Sequence, residues 1–275
     1  ILTSSVLLNA YVETFETGGT YEGDYIKELA KTFKSNFGEL DKKIDFGSLD
    51  DDKDIRLDEI SKYFKSEFSG AWKEAKKFAV NEILNLIKTD LHNFNIIHDL
   101  WFSESSLGAV EDVASDLSKS LKTIKNQGYT YSKDGAEWFK TTEFGDDKDR
   151  VLLRENKEPT YYLTDVGYHK NKIDRNFDSY INIFGADHHG YIPRLTAAFD
   201  VMKKEHQSIE FLLYQLVNLY EEGVKKTMST RRGEYFSLND LREDLGPDVI
   251  KFFFLEKKSD HPMDFDIDLA KDESK

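Results

Sequence analysis

The chain contains 275 residues, of which 39% are hydrophobic and 33% are charged, a balance that predicts a folded protein of one large domain or two smaller ones. It has no cysteine, which excludes disulfide bonds, cysteine-ligated zinc and thiol catalysis and fits a reducing cytoplasm, and no apolar run long enough to predict a membrane span. The formal net charge of −14 argues against non-specific nucleic-acid binding but leaves room for a local basic strip.

The first part of the chain is predicted to be helical. From Trp72 to Leu91 apolar residues recur every three or four positions, which indicates one stripe on a long amphipathic helix. No proline before Pro159 interrupts helices in this part. The acidic run at residues 50–54 is predicted to be a solvated loop or a helix start, because it lacks the ligand spacing of a calcium loop.

Short strands are predicted from Gly128 onward. Aromatic and β-branched residues cluster at 129–131, 136–139 and 150–153, and turn residues such as Asp134-Gly135 separate them. This pattern predicts a small antiparallel, hairpin-rich element. The charged stretch at 144–150 that leads into the last strand is interpreted as a salt-bridged corner rather than a metal site.

Tyr161 and Asp165 are four residues apart and would share one face if their segment is helical. A carboxylate can hold a planar guanidinium through two parallel hydrogen bonds, so the pair is a candidate site for such a group. The alternative interpretation is that Tyr161 and Tyr168 are half-buried aromatic residues and Asp165 a helix N-cap.

Strands and helices alternate in the last third of the chain, which predicts a parallel α/β sheet. Residues 180–184 and 211–220 are predicted strands, and residues 192–204 are a predicted helix between them. Two further helices are predicted at 238–245 and 248–255.

Asp187, His188 and His189 lie between Gly185 and Gly190, directly after the first of these strands. Glycine permits a sharp turn and the close approach of a ligand, and ligands bind at the carboxyl ends of strands in open α/β sheets. We therefore expect the three side chains to project into a cleft, where the histidines can donate to phosphate or coordinate a metal. The alternative is a polar turn that caps the following helix.

A basic loop follows the second strand and contains Lys225, Lys226, Arg231 and Arg232 together with hydroxyl side chains. Such groups can neutralise the charge that develops on a triphosphate during displacement. The alternative is an exposed loop without a special function.

A collinear series of segments resembles the class I arginyl-tRNA synthetases over nearly the whole chain. The run FGADHHGY at residues 184–191 resembles the family's GADHHGY segment, and the collinear series is more specific than any one segment. The segment at residues 228–231 occupies the place of the family's KMSKR loop. The other similar segments are 21–26, 145–152, 160–169, 215–217 and 264–270.

The resemblance implies an α/β fold, namely a partial Rossmann-type class I synthetase core with a mixed helical and antiparallel-strand insertion. Residues 1–68 would be a helical part of the catalytic core and residues 69–145 the connective insertion. Residues 146–236 would be the second half of the Rossmann core with the KMSK-like loop, and residues 237–275 a helical lead toward the anticodon-binding domain. The family's HIGH-type motif would then lie upstream of Ile1.

The resemblance also implies an arginine–tRNA ligase, which activates L-arginine with ATP and Mg²⁺ to arginyl-adenylate and transfers the arginyl group to tRNA(Arg). A cytoplasmic monomer without a bound metal cofactor is expected. The isolated chain is not expected to aminoacylate tRNA, because no HIGH-type motif occurs in it.

Site residues are carried over from matching positions. Tyr161 and Asp165 would hold the guanidinium, and Asp187 would help to fix the amino acid. Thr227 and Thr230 stand where the family's loop has lysines, so Lys226 or Arg231 would take that role. The implied catalytic loop residues are Lys226, Met228, Ser229, Thr230 and Arg231, and the implied ATP contacts are Gly185, His188, His189, Gln215 and Val217.

Two other functions stay open at this point. A metal-dependent phosphoesterase is suggested by the Asp187-His188-His189 run, although the further ligands of a two-metal site are not evident in the sequence. A non-catalytic, synthetase-like binding module is suggested by the lost lysines at Thr227 and Thr230.

Overall fold

The computed structural model of the protein describes residues 1–12, 20–21, 23–226 and 236–273. Its helices are α1 (Leu2–Tyr11), α2 (Asp24–Phe37), α3 (Lys53–Glu67), α4 (Ser69–Asn93), α5 (Asp116–Asn126), α6 (Tyr161–Asp174), α7 (Ile192–Met202), α8 (Leu238–Leu245), α9 (Pro247–Glu256) and α10 (Ile267–Glu273). Its strands are β1 (Thr130–Lys133), β2 (Ala136–Phe139), β3 (Arg150–Leu153), β4 (Ser179–Gly185), β5 (Ser208–Tyr214), β6 (Val217–Glu221), β7 (Val224–Lys225) and β8 (Met263–Asp266).

The chain divides into two compact units. The first contains Ile1–Ile97, Asn218–Glu256 and Asp264–Lys275, and the second contains His98–Val217 and Lys257–Met263. Among the described residues, no helix is long and apolar enough to cross a membrane. The four-part domain division drawn from the sequence stays a prediction.

In the first unit, α1 to α4 pack around one hydrophobic core. Asp52 begins α3 as its N-cap by accepting hydrogen bonds from the backbone amides of Asp54 and Ile55, which confirms the predicted helix start. The predicted stripe on α4 is buried at Ala75 and Ala79, but Leu86 is 54% exposed. Helix α4 has 25 residues, whereas the helices that pack against it have 10 to 15. Part of α4 therefore extends beyond them.

Farther along the first unit, the predicted helices at 238–245 and 248–255 are confirmed as α8 and α9. Ser237 and Asp240 form a reciprocal capping box at the start of α8. Strands β7, β6 and β8 form a small sheet in that order.

In the second unit, β1, β2 and β3 form the predicted antiparallel sheet. Asp134 and Gly135 both have positive φ, 51° and 74°, as a two-residue hairpin turn between twisted strands requires. The corner before β3 is salt-bridged as predicted, since Arg150 binds the buried carboxylate of Asp146.

The parallel pair β4–β5 confirms the predicted α/β class. One face of this pair is buried at Tyr180 and Asn182, whereas Ile181 and Ile183 on the opposite face are 58% and 67% exposed. The predicted helix between the strands is α7. The prediction of one strand at 211–220 is wrong, because the chain leaves the parallel pair after β5 and residue 217 begins β6 in another sheet.

Helix α6 lies in the centre of the second unit, packed between α5 and α7. Gly167 permits this packing, since a Cβ at that position would come within 2.7 Å of Leu117 Cδ2. Thr160 caps the helix by accepting a hydrogen bond from the backbone amide of Leu163. This packing fixes the position of α6 beside β4.

Candidate ligand-binding site

A cavity of about 450 Å³ lies in the second unit beside α6 and the carboxyl end of β4. This volume is within the range of small-molecule sites in proteins. Its wall combines aromatic and aliphatic groups with a carboxylate, an amine and two imidazoles. The lining residues are Tyr161, Asp165, Tyr168, His169, Lys172, Phe184, His188, Tyr191 and Leu195.

Helix α6 supplies five of these residues because positions 161, 165, 168, 169 and 172 fall on one helical face. The alternative role of Asp165 as an N-cap is wrong, since Thr160 caps the helix and Asp165 lies in the next turn. Tyr161 is not half-buried either, because it is 84% exposed, whereas Tyr168 is half-buried as that alternative predicted. The helical spacing therefore brings Tyr161 and Asp165 to one cavity, as the sequence predicted.

Asp165 is the anionic group of the cavity. Its Oδ2 accepts a hydrogen bond of 2.6 Å from the hydroxyl of Tyr191, which belongs to the 3₁₀ turn Ala186–Tyr191 after β4. Within the described chain, no donor lies at hydrogen-bonding distance from its Oδ1. Burial raises the pKa of the Asp165 carboxyl, although the Tyr191 hydroxyl and the Lys172 ammonium act in the opposite direction.

Behind Asp165, a buried polar network joins α6 to β4. Asn182 donates from Nδ2 to His169 Nε2 at 2.9 Å, and His169 Nδ1 lies 2.8 Å from the backbone oxygen of Asp165. Lys172 donates from Nζ to Asn182 Oδ1 at 2.7 Å. Burial, together with the nearby Lys172, lowers the pKa of His169 to about 4, so this imidazole is neutral at physiological pH.

The other predicted residues near β4 do not all reach the cavity. His188 lines it, whereas the exposed side chains of Asp187 and His189 are not among its lining residues in the described chain. Gly185 ends β4, and a Cβ there would come within 2.5 Å of Asp187 Oδ1. Of the three polar side chains predicted to project into a cleft, His188 therefore lines this cavity and the other two do not.

The remaining predicted residues lie elsewhere. The backbone amide of Gln215 donates to the carbonyl of Ser259, and Val217 begins β6. Lys226 lies in the first unit, where its Nζ pairs with Glu221 Oε2 at 2.6 Å. The other predicted loop residues lie outside the described residues: Met228, Ser229, Thr230 and Arg231. Their roles stay predictions.

Sequence reasoning missed Tyr191, Lys172 and Asn182. A helical signal was present for Lys172, which follows Asp165 by seven residues and therefore shares its face. No comparable signal existed for Tyr191, which is 26 residues from its partner Asp165.

Over residues 1–12, 20–21, 23–226 and 236–273, no group of three or more His, Asp or Glu side chains is placed to hold a metal ion. The described part of the chain therefore gives no support to the metal-dependent phosphoesterase alternative.

The fold agrees with the comparisons to known proteins. Residues 8–261 match the family model described as tRNA synthetases class I (R), catalytic domain. The chain belongs to this class I synthetase family, the arginyl-tRNA synthetases, which confirms the resemblance found in the sequence.

Two similar relatives carry the name arginine–tRNA ligase. The protein from Vesicomyosocius okutanii is 42% identical over 287 residues, which cover 100% of this chain and 49% of that protein. The protein from Aquifex aeolicus is 38% identical over 274 residues, which cover 95% of this chain and 45% of that protein. The chain thus spans about half the length of the curated relatives it matches.

Solved structures give the same result. A putative arginyl-tRNA synthetase from Campylobacter jejuni is 30% identical, with a TM-score of 0.75 over 97% of this chain and 52% of that one. The Thermus thermophilus arginyl-tRNA synthetase is 14% identical, has a TM-score of 0.64 over 98% of this chain and 52% of that one, and supports the fold alone.

Proposed function

We propose that this chain provides the amino-acid-binding part of an arginine–tRNA ligase. The enzyme would activate L-arginine with ATP and Mg²⁺ to arginyl-adenylate and pass the arginyl group to tRNA(Arg). Support comes from the two relatives with that name, at 42% and 38% identity over at least 95% of the chain. A monomeric state and a cytoplasmic location belong to the same proposal and rest on the sequence resemblance.

The observation that carries the proposal is the half-buried carboxylate of Asp165 on the cavity wall. Its pKa is raised because burial penalises the charge and no cation of the described chain pairs with it. A guanidinium would remove this penalty, since it can donate to Oδ1 and Oδ2 through two parallel hydrogen bonds. Oδ2 can accept from Tyr191 and from the ligand together, because each carboxylate oxygen has two lone pairs.

The rest of the wall suits the arginine side chain. Phe184 and Leu195 offer apolar contacts for its methylene groups, and the exposed ring of Tyr161 borders the opening. His188, at the carboxyl end of β4, would face the bound nucleotide, and Gly185, His189, Gln215 and Val217 are proposed further ATP contacts. Asp187 is proposed to act on the α-amino group, and the loop of Lys226 to Arg231 on the phosphates.

Isothermal titration calorimetry with L-arginine tests the proposal. Asp165→Asn removes the anionic partner and keeps the size of the side chain. We expect the affinity for L-arginine to fall by at least about 30-fold, as when one partner of a desolvated charge pair is truncated. L-citrulline, which replaces the guanidinium by a neutral urea, should bind the wild type weakly for the same reason.

Asp174→Asn is the matched control, because Asp174 is an exposed carboxylate on the same helix and pairs with Lys170. We expect this variant to bind L-arginine like the wild type. Wild-type affinity in Asp165→Asn, or no binding of L-arginine to the wild type, would contradict the proposal.

A further inference from the structure

Lys172 is a charged group that lines the cavity and that the proposed reaction does not use. It lines the same cavity as Asp165, two helical turns farther along α6. Side chains on a helix lean toward its N-terminus, so the amine of Lys172 extends back toward Asp165. Its Nζ lies 4.4 Å from the centroid of the Tyr168 ring, which is on the intervening turn.

Despite this direction, Lys172 and Asp165 do not pair. Among the described residues, the ion pair within 4.0 Å that involves α6 joins Lys170 and Asp174 and does not include Lys172 or Asp165. A free lysine on this face could fold onto the carboxylate and neutralise it. Something in the structure therefore keeps the ammonium away from the carboxylate.

Asn182 accepts a hydrogen bond from this ammonium. It is 3% exposed, it lies on the inner face of β4, and both atoms of its amide are engaged. An ammonium can only donate, so the atom of Asn182 that faces Lys172 at 2.7 Å must be its oxygen. The amide nitrogen then donates to His169 Nε2, and this fixes the proton of the neutral imidazole on Nδ1, which donates to the Asp165 carbonyl.

We propose that Asn182 is a positioning residue of the arginine site: it anchors the ammonium of Lys172, and this keeps Asp165 open for the guanidinium. The inference rests on the proposed function, because it assumes that the cavity takes arginine. It adds that the chain contains its own competitor for the carboxylate, and that one amide on β4 restrains it.

The charges around Lys172 determine how the competition depends on pH. Burial, and next the Arg175 guanidinium, lower the pKa of Lys172 to about 8, while the Asp165 carboxylate raises it. The amine is therefore charged at pH 7 and largely neutral at pH 9.5. Ionisable groups that face it are Asp165, Tyr168 and His169 from α6, Arg175 directly after that helix, and His188 and Tyr191 from the turn after β4.

A double-mutant cycle measured by calorimetry with L-arginine, in the full natural chain, tests the proposal. Asn182→Leu frees Lys172, and we expect the affinity to fall by about tenfold or more at pH 7, the scale of a hydrogen bond between charged groups. In a Lys172→Met background the same Asn182→Leu change should cost less than about threefold, since no competitor is left. The loss in Asn182→Leu should also shrink once the pH is high enough to deprotonate the freed amine, whose pKa the Asp165 carboxylate raises.

Two single variants keep the test decisive if Asn182→Leu does not fold. Asn182→Asp keeps an acceptor for Lys172 but cannot donate to His169, and we expect it to bind L-arginine within about threefold of the wild type. Lys172→Met should bind L-arginine about threefold more tightly or better, because one cation leaves the cavity. Weaker binding in either variant would overturn the proposal.

The cycle separates this inference from the proposed function. A wild type that does not bind L-arginine refutes the function. A wild type that binds it, combined with an Asn182→Leu loss that is equally large with Met at position 172, refutes the anchoring role alone and assigns Asn182 to packing.

Discussion

Asp146 and Asp165 are two carboxylates of the second unit with opposite surroundings. Asp146 accepts hydrogen bonds of 2.7 Å from both Nε and Nη2 of Arg150, and its Oδ1 also accepts from the backbone amide of Asp147 at 2.8 Å. Asp165 accepts from one phenol, Tyr191, and borders an open cavity. One carboxylate has its cation built into the chain, and the other does not.

Their acidities differ in the same sense. Burial raises the pKa of the Asp146 carboxyl, but the hydrogen bonds from Arg150, Asp147 and Thr141 together outweigh burial and hold this pKa well below its usual range. For Asp165 burial prevails and the pKa is raised. A buried charge that is paired within the chain has a structural role. A buried charge without a partner lowers the stability of the folded state and is a candidate binding group.

The largest expected effect comes from breaking the complete pair. Arg150→Met leaves the carboxylate of Asp146, whose side chain is 2% exposed, without its cation. We expect a loss of about 3–5 kcal/mol in the free energy of unfolding, measured by urea denaturation. Arg154→Met is the control, since Arg154 is half exposed and its pair with Glu158 should contribute less than about 1 kcal/mol. Equal losses in the two variants would contradict the contrast.

The opposite sign is expected at the open carboxylate. Without ligand, Asp165→Asn removes a poorly compensated charge and should raise the free energy of unfolding by about 1 kcal/mol or less, because the group is only partly desolvated. Asp146→Asn should lower it by about 2 kcal/mol or more, since Arg150 is left without its partner. Urea denaturation of both variants at pH 7 provides the measurement, and a comparable decrease in both would show that Asp165 is structural.

The pH dependence sharpens the same comparison. Asp146 has a depressed folded pKa, so its contribution is present above the unfolded value of about 4 and is lost as the pH falls below it. Asp165 has a raised folded pKa, so its cost is present above that pKa and disappears as the pH falls toward about 4. Unfolding at pH 7, 5 and 3.5 should show the gain from Asp165→Asn fading first and the loss from Asp146→Asn persisting at pH 5. The reverse order would refute the assignment.

The smallest expected effect concerns the phenol. Tyr191→Phe removes the hydroxyl that holds Asp165 Oδ2, and we expect the calorimetric affinity for L-arginine to fall by about three- to tenfold. Tyr162→Phe is the matched control, because its buried hydroxyl donates to the Arg194 carbonyl outside the cavity lining. That variant should lose about 1 kcal/mol of stability and keep its affinity. An unchanged affinity in Tyr191→Phe would mean that Asp165 needs no orienting donor.

Local patterns were sufficient for much of the fold. The hairpin followed from Asp134-Gly135, and the parallel pair from two apolar runs around a helix. The acidic run at residues 50–54 was predicted as a loop or a helix start, and Asp52 begins α3. The division of residues 211–220 between two sheets could not be predicted, because apolar side chains do not specify which strand they pair with. The exposed half of α4 was missed because the extent of its partner helices is a tertiary property.

The candidate site was predictable where its members share a helix. Tyr161 and Asp165 followed from a spacing of four residues. Tyr191 and Asn182 reach α6 from the turn and strand that follow it in the chain, and nothing in their local sequence indicates that contact. The parts assigned to Lys226 and its loop stay predictions.

One consequence follows from the single helical face that carries the cavity wall. Adjacent residues of an α-helix are rotated by about 100° from each other. A one-residue insertion or deletion between Asp165 and Lys172 would turn the amine away from Asn182 and bring a neighbouring side chain to the cavity. A substitution in this stretch would change one side chain of the cavity wall. A change in its length would displace several of them at once, so we expect the number of residues here to be as constrained as their identity.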